Sequence, residues 1–234
     1  MDIHHLIEIF ELEAKLLDAT VRHHPLLRPL FSRNFEGVNL DTLKRSYLQL
    51  LKLEADYVQY TVPALRAAGQ ALRDGDDEDR RWSKLFLEYS VSETDEQGDY
   101  GHQVWARNDM KALGASPDLL DAPVPANAIL YGKFFVDDAG QHPYAILGAK
   151  GVLEHFSIRS ADDVVRGLIE SGIPNAKNAT SFLHHHAILD IEHVREGDRN
   201  LEQLTHAQKR FQILAGAYFT SGSYRSLIHY LLPT

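Results

Sequence analysis

The chain has 234 residues, 44% hydrophobic and 24% charged, with a formal net charge of −9, a composition that suits one globular domain with a substantial core. It contains no cysteine, which excludes disulfides, thiolate metal sites, iron–sulfur clusters and a thiol nucleophile. The acidic balance, without any lysine- or arginine-rich run, argues against nucleic acid as a partner, and the N-terminal stretch, charged every few residues, has neither a signal-peptide core nor a membrane span, so a cytoplasmic protein without a membrane partner is expected.

The first element predicted is a helix over 3–19, where Leu6, Ile9, Phe10, Leu16 and Leu17 recur at helical spacing. The two prolines of 23–31 predict a turn with a short helix. A long amphipathic helix follows over 38–72, opened by Asn39 or Asp41 as N-cap and kinked at Pro63. Residues 74–81, DGDDEDRR, read as an acidic connection, and 82–114 as a further helix with Gly98 and Gly101 inside a polar stretch. A proline-punctuated loop over 115–126 precedes helices over 127–138, 144–172, 179–197 with Gly197 as C-cap, and 201–232. No segment alternates with a two-residue period, no repeat stands out, and no linker separates two parts. The expected architecture is all-α: a single helical bundle of about seven helices spanning 1–234 as one domain.

Histidine usage singles out HHHAILDIEH, residues 184–193. At about 100° per residue, His186, Asp190 and His193 lie within roughly 60° of one another on a helix, whereas His184 and His185 fall elsewhere. Leu183 and Ile191 flank that stripe and Phe182 and Leu189 widen it, so it should face the core. Two buried imidazoles and a carboxylate need partners. They can bond to each other, or a metal ion can satisfy all three at once. Glu154 lies in a small, apolar helix among Ala149, Gly151 and Val152, where an acid is costly unless paired. In SETDEQGDYGHQVW, Asp95 and His102 are seven apart and can share a face, as can Asp99 and His102 three apart. Glu96 is a poorer helical partner unless the glycines distort the turn. Glu93 and Asp99 read better as a solvated acidic turn. Carboxylates and imidazoles from facing helices, with no sulfur, suit iron or manganese, and acids bridging two metals are plausible.

HHPLLRPLFSRNFEGVNLDTLKRSYLQ, DEQGDYGHQVWARNDMKALG, YAILGAKGVLEHF and, residue for residue in its H-x3-D-x2-H pattern, FLHHHAILDIEHV resemble the heme-oxygenase-like diiron oxidases, within the wider TenA/PqqC/heme-oxygenase fold group. The resemblance implies metal ligands at His102, Glu154, His186, Asp190 and His193. The remaining acid falls on Asp95, where relatives carry glutamate, with Glu96 or Glu54 as alternatives. It implies two irons, or manganese in their place, with dioxygen as co-substrate, an external electron donor, a small organic substrate such as an amine, amino acid or fatty acid, and a homodimer. Glu54, Tyr57 and Tyr131 are candidates for the reaction pocket, with Tyr60 and Phe156 beside them. Thiaminase chemistry as in TenA would want the missing cysteine, and heme binding at His23 or His24 would leave the ligand pattern unexplained. The competing reading is a TenA/PqqC-like small-molecule-binding protein or cofactorless enzyme that keeps the fold without metal chemistry.

Overall fold

The computed structural model describes residues 2–94 and 101–231, so Asp95, Glu96, Gly98 and Asp99 lie outside the described residues. Among the described residues there are eleven α-helices, one turn of 3₁₀ helix and no strand. The all-α expectation holds. The helix number exceeds seven because the expected helices over 38–72 and 82–114 are each two, and short helices form over 28–32 and 117–120.

The first helices are α1 (Ile3–His23) and the short α2 (Arg28–Ser32). The segment expected as one kinked helix is two: α3 (Leu40–Val58), capped by Asn39, whose side chain accepts from the Thr42 amide, and α4 (Thr61–Leu72). Pro63 falls in the first turn of α4, where its missing N–H would have had no intrahelical acceptor, so the chain restarts a helix instead of bending one. The acidic connection is itself helical. It forms the first turn of α5 (Asp77–Ser92), where Asp76 and Asp79 cap each other's amides at 2.7 and 3.2 Å and three acids meet the positive end of the helix. Beyond it come α6 (Gln103–Ala112), α7 (Pro117–Leu120) inside the expected loop, and α8 (Ala126–Val136).

The centre of the fold is α9 (Ala145–Glu170), which packs against α1, α2, α10 (Ser181–Leu201) and α11 (Ala207–Leu231). Its approach to α11 is close because both surfaces are bare. A Cβ on Gly148 would overlap the Ile213 carbonyl oxygen, and one on Gly216 would overlap that of Ala145. α10 runs through Gly197 to Leu201, so this glycine is not the expected C-cap. The helix is also oriented differently from a simple amphipathic reading. It fully buries only Phe182, Asp190 and Leu201, while Leu189 and Ile191, expected inside, are 39% and 41% exposed. Its polar stripe, not an apolar one, faces the protein.

What fixes the start of α10 is a side chain from another helix. Its N-cap residue Thr180 makes no side-chain cap. Instead Asp109 of α6, itself buried, accepts from the Phe182 amide at 2.8 Å and from the Ser181 hydroxyl at 2.5 Å. Asp109→Ala should therefore destabilise the protein by about 1–3 kcal/mol, because a cap is lost and buried donors are left unpaired. Asp109→Asn, which keeps an acceptor, should cost less. Urea unfolding of the three proteins measures this, and equal midpoints would show that the contact contributes nothing.

Candidate metal centre

Four elements deliver the charged cluster. Glu93 is the C-cap of α5 and His102 the N-cap of α6. Lys150 and Glu154 stand one turn apart on α9, and His186, Asp190 and His193 form the inward stripe of α10. Glu93, Glu154 and His193 each offer a ligand atom within 4.8 Å of the others. His102 Nδ1 lies 3.4 Å from Glu93 Oε2 and 3.3 Å from His186 Nε2. His193 Nδ1 lies 3.5 Å from Glu154 and 3.4 Å from Asp190. His186 donates from Nδ1 to the Phe182 carbonyl at 2.8 Å, which turns its Nε2 lone pair toward the cluster. The His102 ring stacks on Trp105 at 4.2 Å.

Lys150 organises the charges. Its Nζ is 2.8 Å from Glu93 and 2.8 Å from Glu154. Burial alone would lower its pKa, but Glu154 and Glu93 more than offset this and hold the ammonium above its ordinary range. Burial likewise pushes Glu93 up, against which Lys150 and His102 hold its carboxyl down at about 2. His102 is itself lowered to about 4, by burial and by the neighbouring His186 and Lys150. It is therefore neutral at pH 7, and Lys150 is the cation that keeps Glu93 ionised there. Burial raises Glu154; Lys150 opposes the rise and Asp190 adds to it. Asp190 raises His193 against burial. Yet neither of its carboxylate contacts is a well-formed hydrogen bond, so the buried Nδ1 is held by charge alone.

These residues fit a metal ion. Three buried or nearly buried carboxylates gather here, Glu93 and Glu154 on the one permanent cation and Asp190 beside His193, whose Nδ1 makes no hydrogen bond. Oxygen and imidazole donors without sulfur are the set that iron and manganese accept.

The cluster borders a cavity of about 110 Å³. The wall is mainly aliphatic, with Leu50, Val58, Ile146, Leu153 and Val164 among its residues, and Glu93, Lys150, Glu154, His186 and Asp190 at the cluster. Glu54 and Tyr131 line it, as does Phe156. Tyr224 donates to Glu54 Oε1. Burial raises Glu54 to about 7, the Tyr224 hydrogen bond and His186 opposing. Tyr57 does not reach the cavity. It is buried behind it, 3.9 Å from the Tyr131 ring and edge-on to Tyr224, where it packs against two residues that line the cavity. Tyr60 sits at the α3–α4 junction, outside the lining.

Of the expected ligands, the structure brings together His102, Glu154, His186, Asp190 and His193; Asp95, with its alternative Glu96, lies outside the described residues. Glu93, read from the sequence as a solvated acid, is 7% exposed and belongs to the cluster. Its burial depends on where α5 ends against α9, which no local pattern states. Lys150 was also missed; its signal in the sequence is the i, i+4 spacing that puts it on the same helical face as Glu154.

A family model described as iron-containing redox enzyme matches residues 44–221. No curated protein matches the chain. Among solved structures, a domain of unknown function with a heme oxygenase-like fold from Shewanella denitrificans OS217 superposes with a TM-score of 0.75 at 14% identity, covering 99% of this chain and 92% of that one. A CADD-like protein of unknown function from Nostoc punctiforme PCC 73102 gives 0.63 at 14% identity, covering 95% and 96%. At these identities the likeness shows the fold, which is heme oxygenase-like.

The pH behaviour of Glu54 is testable. Its folded carboxyl keeps its proton to about 7, whereas the ordinary value is 4.5. Stability from this group is therefore complete below 4.5 and is lost as pH rises through 7. Glu54→Gln stays neutral, so its stability relative to wild type should increase between these pH values and then level off. Paired urea midpoints across that range read the difference, and a pH-independent offset would refute the raised value.

Proposed function

The chain belongs to the iron-containing redox enzymes, and on that premise we propose that it is a non-heme oxidase that uses dioxygen on a small organic substrate. The observation that carries the reading is the meeting of the acid–imidazole cluster with an apolar cavity. His102, Glu154, His186, Asp190 and His193 are the proposed ligands. Glu93, from its position in the cluster, joins Asp95, from the sequence resemblance, as a candidate for the remaining acid. With that many carboxylates, two irons are proposed.

Bound iron supplies the redox chemistry that activates dioxygen. The protein's own residues do the rest. The aliphatic wall excludes water and accepts the apolar body of the substrate. Glu54, hydrogen-bonded to Tyr224, is the acid that lines this cavity away from the metal ligands, and near neutrality it can either hold or accept a proton from a polar group of the substrate. Phe182 anchors the His186 tautomer through its carbonyl. The reaction also requires an external electron donor, and a homodimer is part of the proposal. One observation favours a metal-free binding protein instead: Lys150 already neutralises part of the charge on Glu93 and Glu154.

Anaerobic ferrous titration followed by exposure to dioxygen separates the two readings. The expected outcome is two irons per chain and oxygen uptake. His193→Ala and Glu154→Ala should each weaken iron binding by at least about the 10- to 100-fold that loss of an outer partner of a metal ligand costs, with helical circular dichroism retained. Iron binding that is absent in wild type, or equal in all three proteins, would leave the metal-free reading standing.

A further inference from the structure

The charged cluster has a second opening. A smaller cavity of about 30 Å³ lies between α1, α5, α9 and α10, and it shares only Lys150 and Glu154 with the larger one. Those two side chains are thus the wall between the cavities. The proposed ligands divide across it: Glu93, His186 and Asp190 face the larger cavity, His193 faces the smaller, and Glu154 borders both.

The size and lining of the small cavity select its occupant. Its volume exceeds the roughly 10–15 Å³ that one water requires but leaves no room for an organic substrate. Away from the cluster Phe10, Trp82, Leu147, Val194 and Leu201 make most of the wall, with Tyr89, His155 and Asp198 beside them. The apolar side of the cavity offers a water nothing to bond to and is the kind of surface that binds apolar gases, while its polar side is the cluster itself.

Gly197 adds an independent observation. It lies inside α10, where glycine is the least favourable residue after proline. No positive φ requires it, and a Cβ there would meet nothing within 4 Å. Neither backbone conformation nor close packing explains this glycine. It lines the cavity, and a Cβ there would enter open space.

We propose that the smaller cavity is a dioxygen pocket, which delivers the gas to the Glu154–His193 side of the cluster without passage through the organic cavity. This rests on the oxidase reading above. It separates two ligands of unlike size, so that a bound organic molecule does not block the gas.

Xenon-pressurised crystals and oxygen kinetics test it together. Xenon is expected in the small cavity of the wild-type protein and absent from Gly197→Leu, a substitution that also improves helix propensity. Val194→Phe, one turn earlier on the same wall, should act alike and guards against an effect peculiar to one variant. After equal iron loading, the second-order rate of reaction with dioxygen should fall severalfold in both variants. Xenon confined to the larger cavity, or variants with a filled small cavity that react as fast as wild type, would overturn the pocket while leaving the oxidase reading intact. A ferrous wild-type protein that never reacts with dioxygen would overturn the oxidase reading and the dioxygen assignment with it, whatever xenon does.

Discussion

The ammonium of Lys150, 2.8 Å from each of two carboxylates, constrains how α5 and α9 meet. A charge withdrawn from water costs several kcal/mol unless its partners are close and well placed. Glu154, on the same helix one turn away, supplies one partner at little conformational expense. Glu93 must come from the end of α5, so that helix has to stop where it does. The pairing satisfies the ammonium but not the acids, since Asp190 brings a third carboxylate to the same place. An excess of buried acid is relieved by a proton, toward which Glu154 is already pushed, or by a further cation. The further cation is the answer to which the donor chemistry and the family point.

The scaffold keeps this group in register by contact of backbones. Gly148 and Gly216 let α9 and α11 approach with no side chain between them, which leaves little freedom to slide or rotate. On the other flank, the Asp109 clamp ties the first turn of α10 to α6. His102 begins α6 and His186 lies on α10 one turn beyond the clamp, so a single carboxylate couples the two imidazoles.

Much of this was legible in the sequence because it is periodic. The three-residue set on α10 is a statement about one helix, and helical geometry alone aligns His186, Asp190 and His193. The all-α class follows in the same way. What was not legible depends on contacts between elements. Glu93 resembles any acid at a helix end until the neighbour that covers it is known. Tyr57 has the chemistry of a pocket residue, but its place behind Tyr131 is decided by how α3 meets α8 and α11. The outward turn of Leu189 and Ile191 ran against amphipathic reasoning because that reasoning assumes apolar burial positions a helix, and on α10 the polar stripe does so.

That inversion has a thermodynamic consequence. A helix secured by a broad apolar stripe opens only when the whole core opens, whereas α10 commits few apolar side chains and presents Ile188, Leu189 and Ile191 to solvent. Its attachment depends on Asp190, the histidines and the clamp at its first turn. Local opening of this helix therefore costs less than global unfolding, and its amides form a cooperative unit of their own in hydrogen exchange. A cation bound by the stripe and by α9 stabilises the closed form by mass action. Occupancy of the centre and order of its most exposed wall are then one equilibrium, seen from two sides.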